Sequence, residues 1–235
     1  MKSVVIHRIA LFMSLLLLAA GVVSYLYMRG YRLSEPHADS LYSMVPADAI
    51  AVVETDDVVS FVDEVTGGDG SVPNVSLPVS DMVKCLKEYV GEFVESSPHG
   101  LSVQISRVLL SYHKPESPVS QVLYCHVDAD DATRLQEHFT HYFQHPEDEP
   151  QVISYKGESI AIYPMADGHE LSAYMSDNQL ALSFSSELLQ QVIEAQQQNG
   201  TLSSNAAFMN LQNTKSAFVR TAVYQQTNNR WELVF

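Results

Sequence analysis

Positive charge is scarce in this chain: 13 lysines and arginines stand against 28 aspartates and glutamates, a formal net charge of −15. The shortage sharpens beyond position 32, because Lys2, Arg8, Arg29 and Arg32 all lie in the first 32 residues, where no acidic residue occurs. The remainder carries nine basic against 28 acidic residues, a balance of −19. A body that acidic repels phosphate backbones, so no nucleic-acid partner is expected, and anionic lipid surfaces are disfavoured in the same way. Cysteine is nearly missing too. Cys85 and Cys125 could pair in an oxidising compartment, but Cys85 falls in a helical pattern and Cys125 inside a strand. Lone cysteines in such places behave as small buried hydrophobes, and geometry rather than count decides pairing.

The usual catalytic signatures are also absent. Gly67-Gly68-Asp69-Gly70 lacks the following Lys-Ser/Thr of a phosphate-binding loop, and no Gly-x-Ser-x-Gly elbow occurs. Asp128-Ala129-Asp130-Asp131 resembles the start of a calcium loop, yet no glycine sits at its sixth position and Phe139 stands at the twelfth, where a bidentate glutamate is needed. It reads as a helix cap. The carboxylate runs Asp56-Asp57 and Glu147-Asp148-Glu149 fall at a helix start and in a loop, where solvation accounts for them. Asn74-Val75-Ser76 and Asn199-Gly200-Thr201 match the glycosylation sequon, a pattern short enough to arise by chance.

What is present begins with Ile9–Met28, IALFMSLLLLAAGVVSYLYM, twenty residues without a charge. At 1.5 Å per residue such a helix crosses a hydrocarbon core of about 30 Å. A cleaved signal peptide is the competing reading, since Ala19-Ala20-Gly21 offers small residues after an apolar run. The run continues through Val22, Val23, Tyr25, Leu26 and Tyr27, longer than a signal peptide needs, which favours an uncleaved signal-anchor. Lys2, Arg8 and the terminal amine precede it while Arg29 and Arg32 follow, so residues 1–8 are placed in the cytoplasm and the acidic body outside it. The expectation is a single-pass inner-membrane protein anchored in the lipid bilayer by its N-terminal helix, with its body in the periplasm or outside the cell. Residues 29–41, RGYRLSEPHADSL, read as a polar tether.

Residues 42–235 form the body. Its recurring unit is a short apolar strand, an N-cap residue and an amphipathic helix: AIAVVE leads to Thr55 with Val58, Val59 and Val62, and LALSF leads to Ser185 with Leu188, Leu189 and Val192. Both place apolar residues three, four and seven after the cap, the spacing of one buried helical face. VLYCHV followed by Asp128 is a weaker copy. Helices are predicted over 56–65, 80–95, 129–144 and 186–197, with a short one near 206–211. Residues 152–184 predict an antiparallel meander, with turns at Lys156-Gly157, around Gly168 and at Asp177-Asn178. AFVRTAVYQQ, TNN and RWELVF predict a closing hairpin. The fold class is α+β: an N-terminal transmembrane helix, then a largely antiparallel sheet with helices packed on one face.

EHFTHYFQH at 137–145 is the densest concentration of potential metal ligands. At 100° per residue, Ala132, Leu135, Phe139, Tyr142 and Phe143 form the apolar face of that helix, and His138, His141 and His145 lie roughly 120° away from it. His138 and His145 are about 10 Å apart along the axis, too far to share an ion. His141 and His145 could chelate one, but the Tyr-Phe-Gln between them lacks the glutamate of the zinc-protease motif and no further ligand is marked. They read as the solvated edge of a packing helix, with no cofactor or metal implied.

The layout of anchor, tether, LYSMVPADAIAVVETDDVVSFVDEV, and later SAYMSDNQLALSFSSELLQQVIEA with AAFMNL about ten residues on, resembles the DUF3352 family of bacterial membrane-anchored proteins. The matching positions are Pro46, Ala47 and Asp48 before the first strand, and the strand followed by Ser185, Ser186 and a helix. The family has no assigned activity and no catalytic residues to carry over. Its members are commonly much longer, so the resemblance implies an N-terminal part, and the edge made by AFVRTAVYQQ and RWELVF is expected to lack part of its cover. The function this leaves is a non-enzymatic binding or scaffolding module with an envelope protein partner or self-association. The alternative is an envelope hydrolase or metal-dependent enzyme using His141 and His145.

Overall fold

A computed structural model of the chain describes residues 41–57, 61, 82–83, 107–117, 119–127, 151–165, 168–176, 178–216 and 219–234. All belong to the second of the two units into which the chain divides, Asp39–Phe235. The span expected at Ile9–Met28 and the tether up to Ser40 lie outside the described residues; among those described, no helix is long and apolar enough to cross a membrane. Leu41, assigned to the tether on sequence, is fully buried in the body.

Among the described residues nine strands form one antiparallel sheet: β1 (Ala51–Thr55), β2 (Val108–Tyr112), β3 (Gln121–His126), β4 (Gln151–Tyr155), β5 (Glu158–Pro164), β6 (Glu170–Ser176), β7 (Gln179–Ser183), β8 (Thr221–Thr227) and β9 (Arg230–Leu233). Their spatial order is β4-β5-β6-β7-β3-β2-β1-β8-β9. The meander β4 to β7 follows from turn chemistry. Lys156 and Gly157 take φ of 50° and 89°, the left-handed pair that a two-residue hairpin requires to match strand twist. A Cβ on Gly157 would meet open space, so glycine is there for its dihedral and not for room. Asn228 and Asn229, at φ 51° and 61°, close β8 onto β9 by the same geometry, asparagine being among the residues that tolerate it.

Helix α1 (Ser186–Gln197) starts where the sequence places it: Ser185 is extended and its Oγ accepts from Leu188 N at 3.3 Å. It ends with Asn199 at φ 54° and Gly200 N donating to Ala195 O at 2.8 Å, a left-handed C-terminal stop. A 3₁₀ turn, Leu202–Ser204, leads to Asn205, whose Oδ1 accepts from Ala207 N and Phe208 N, both at 3.1 Å, and so starts α2 (Ala206–Gln212).

Strand alternation sends side chains to two cores. One holds Val52, Leu109, Val122, Tyr124, Ile160, Tyr174, Ala181, Ala222 and Tyr224, roofed by α1, α2, the 3₁₀ turn and the segment Leu41–Ala49. The other holds Val53, Leu110, Leu123, Cys125, Leu171, Leu182 and Val223, together with Phe61, Met82 and Val83, which have helical backbone. This revises the expectation that helices cover one face only. β1, β2 and β3 are buried at every position, as strands covered on both sides must be.

Candidate functional site

The polar side chains that the fold buries beneath its helical roof are the place to look for chemistry, because burial without partners is costly. Two groups of them lie on the face covered by α1 and α2.

The first is set by a run of alternate residues leaving β2. Ser111 and His113 point the same way, and Ser111 Oγ lies 2.7 Å from His113 Nε2 and 3.1 Å from the hydroxyl of Tyr124, its diagonal neighbour on β3. Ser111 is fully buried and His113 is 3% exposed. Burial pushes the imidazole down to about 4, against the opposing pull of the Asp48 charge. The ring is therefore neutral near pH 7. Burial also drives the Tyr124 hydroxyl well above its ordinary range, assisted by Asp48. A hydroxyl against a neutral imidazole nitrogen has the geometry of a nucleophile and its base. Here it has no exposed surface through which a substrate could reach it.

The second group surrounds a charge placed inward by strand alternation. Glu54 is 2% exposed; its Oε2 accepts from Tyr42 Oη at 3.0 Å and from Tyr224 Oη at 3.4 Å, and Lys215 Nζ lies 3.3 Å away. Burial, then the carboxylate, raises both phenols, Tyr42 most strongly. Both hydroxyls stay protonated and serve Glu54 as donors. Around them Phe208 sits edge-on to Tyr42, Tyr224 and Trp231, with ring centroids 5.0, 5.2 and 5.1 Å apart. Trp231 Nε1 and Gln212 Oε1 are buried at this seam with no hydrogen-bond partner.

Sequence reading pointed elsewhere. His138, His141 and His145 lie outside the described residues, as do Cys85, the 67–70 loop, the 128–131 run, Asn74 and Glu147-Asp148-Glu149. Cys125 is free and buried, its thiol pushed up to about 12 by burial. Asp57 pairs with Arg220 at 2.7 Å. Thr201 of the second sequon is folded into a bridge with Pro46, and its Oγ1 is 2.9 Å from Ser203 Oγ. Among the described residues no three His, Cys, Asp or Glu side chains are grouped to hold a metal. The two polar clusters were missed, though each carried a signal: Ser-x-His and a lone Glu at inward positions of otherwise apolar strands.

The segment before β1 meets the turn that follows α1. Pro46 bridges Thr201, Ala47 N donates to Gly200 O at 2.9 Å, and Leu202 N donates to Val45 O at 2.9 Å. Together these features define an antiparallel α+β sheet domain with a closed, internally bonded core. No family model, no curated protein and no solved structure matches the chain.

Proposed function

We propose that the chain is a membrane-tethered, extracytoplasmic module of the bacterial cell envelope that binds or scaffolds another envelope component. The observation that supports this reading is the internal bonding of the two buried polar clusters. Ser111, His113 and Tyr124 bond one another, as do Glu54, Tyr42, Tyr224 and Lys215. They tie strands and roof together, and apart from Lys215 all are buried. The uncharged run Ile9–Met28 supplies the anchor, the narrow basic excess before it favours a cytoplasmic N-terminus, and the acidic body then lies across the membrane. The joining of residues 45–47 to 200–202 ties two parts of the roof together.

Two measurements test the proposal. The full chain should resist alkaline carbonate extraction, and protease added to spheroplasts should digest the body. A mature protein beginning at Val22, or a protected body, overturns the topology. Purified full chain should hold no stoichiometric metal. A metal that is present and lost in the His141→Ala/His145→Ala variant would move the assignment to an envelope enzyme.

A further inference from the structure

Asn199-Gly200 is the only Asn-Gly step in the chain, and both residues are exposed just past the end of α1. Asn199 carries the left-handed dihedral of the helix stop, at φ 54°, whereas Gly200 lies outside that region. A Cβ on Gly200 would come no closer than 3.8 Å, to Ala195 Cα, which is ordinary contact. Neither dihedral nor packing therefore requires glycine at 200. What glycine does change is the reactivity of the asparagine before it, because without a Cβ the peptide nitrogen is free to approach the neighbouring carboxamide.

We infer that Asn199 is a deamidation site whose reaction is gated by the join between residues 45–47 and 200–202. Gly200 N, once deprotonated by solvent base, attacks Asn199 Cγ and ammonia leaves, which closes a succinimide. Water then adds to one of the two ring carbonyls and opens the ring to aspartate or to isoaspartate. In the folded chain the nucleophile is engaged: Gly200 N donates to Ala195 O at 2.8 Å, Gly200 O accepts from Ala47 N at 2.9 Å, and Thr201 bridges Pro46. A nitrogen whose hydrogen is bonded to a carbonyl is not deprotonated for attack, and a backbone pinned after the step cannot turn to close the ring. The reaction waits for local opening, which folded proteins undergo without unfolding globally. It then prevents reclosure. Isoaspartate lengthens the backbone by one carbon at this step, so Gly200 cannot meet Ala195 O and Ala47 N together. Either product also places a new carboxylate at the C-terminal end of α1, whose last turn holds no basic residue, where the helix dipole opposes it. The site therefore records each opening of the roof as a permanent change, and it does so whatever the body binds.

The test is made on the full chain in detergent, held in mildly alkaline buffer, with conversion of Asn199 followed by peptide mass mapping. The native chain should convert at least about tenfold more slowly than the urea-unfolded chain. Urea below the unfolding transition, where Trp231 fluorescence is still native, should raise the rate severalfold. Leu202→Ala, which removes a fully buried side chain beside the bond from Leu202 N to Val45 O, should do the same without urea. In the unfolded chain, Gly200→Ala should slow conversion at least about tenfold. Amide exchange at Ala47 and Leu202 should be faster in the purified isoaspartate product than in the parent. A native rate equal to the unfolded one overturns the inference, as does a native rate unmoved by urea below the transition, or a product that protects Ala47 and Leu202 as the parent does. Should Leu202→Ala fail to fold, the urea series on the unaltered chain decides the same point.

Discussion

Ser111 Oγ lies 2.7 Å from His113 Nε2, two residues on along the same strand, and both are sealed from solvent. The imidazole is held neutral, with its titration moved from the ordinary 6.5 down to about 4. Unfolding exposes it and restores the ordinary value, so between these two pH values the unfolded chain binds the additional proton. Stability is therefore unaffected by this group above about pH 6.5 and falls as pH drops toward 4, by about 3 kcal/mol in total. Urea unfolding of the full chain, followed by the single tryptophan, should show this loss. His113→Asn should flatten it.

The Glu54–Lys215 pair, at 3.3 Å, should be strongly coupled because the carboxylate is almost wholly buried. Glu54→Leu strands Lys215 Nζ and two phenolic hydroxyls, and should lower stability by about 2–4 kcal/mol. Lys215→Met leaves the buried charge with its tyrosine donors alone and should cost about as much. Made together, the two changes should cost less than their sum by about 1–3 kcal/mol. Additive losses in the double-mutant cycle would show that the pair is not energetically linked.

Phe208 is fully buried and meets three aromatic rings edge-on. Phe208→Ala should lower stability by about 3–5 kcal/mol and shift Trp231 emission to the red as its packing partner is lost. A variant with native stability and unchanged emission contradicts the aromatic seam described here.

Cys125 should be inert in the folded chain. With its thiol raised to about 12 by burial, the nucleophilic thiolate is nearly absent at pH 8. Peptide mapping after iodoacetamide treatment should find Cys125 unmodified until denaturant is added.

Much of the local structure was legible from the chain. Ser185 announced α1, and its bond to Leu188 N is where the cap rule puts it. Lys156-Gly157 and the asparagines of TNN announced two hairpins, because only certain residues accept those dihedrals cheaply. The order of strands was not legible. β1 lies between β2 and β8, and β3 pairs with β7; apolar alternation says that a strand is buried but not beside which neighbour. The second apolar face was hidden for a related reason. The unbroken burial of VLLSY and QVLYCH leaves no polar alternation to report which side faces water. The Ser111–His113 pair escaped notice because alternate spacing aligns side chains only once the segment is known to be a strand. The histidines at 138, 141 and 145 drew attention by abundance alone.

The position of β1 bears on how this molecule is made. One of the strand's two flanking partners, Thr221–Thr227, is synthesised only after β2 to β7. Until then β1 is an open edge, and Glu54 waits without Tyr224 and Lys215. Pairings of such long sequence separation form slowly, so the nascent chain spends its synthesis aggregation-prone and in need of protection. A ribosome that stalls before residue 221 therefore releases a product in which β1 has no partner on one side.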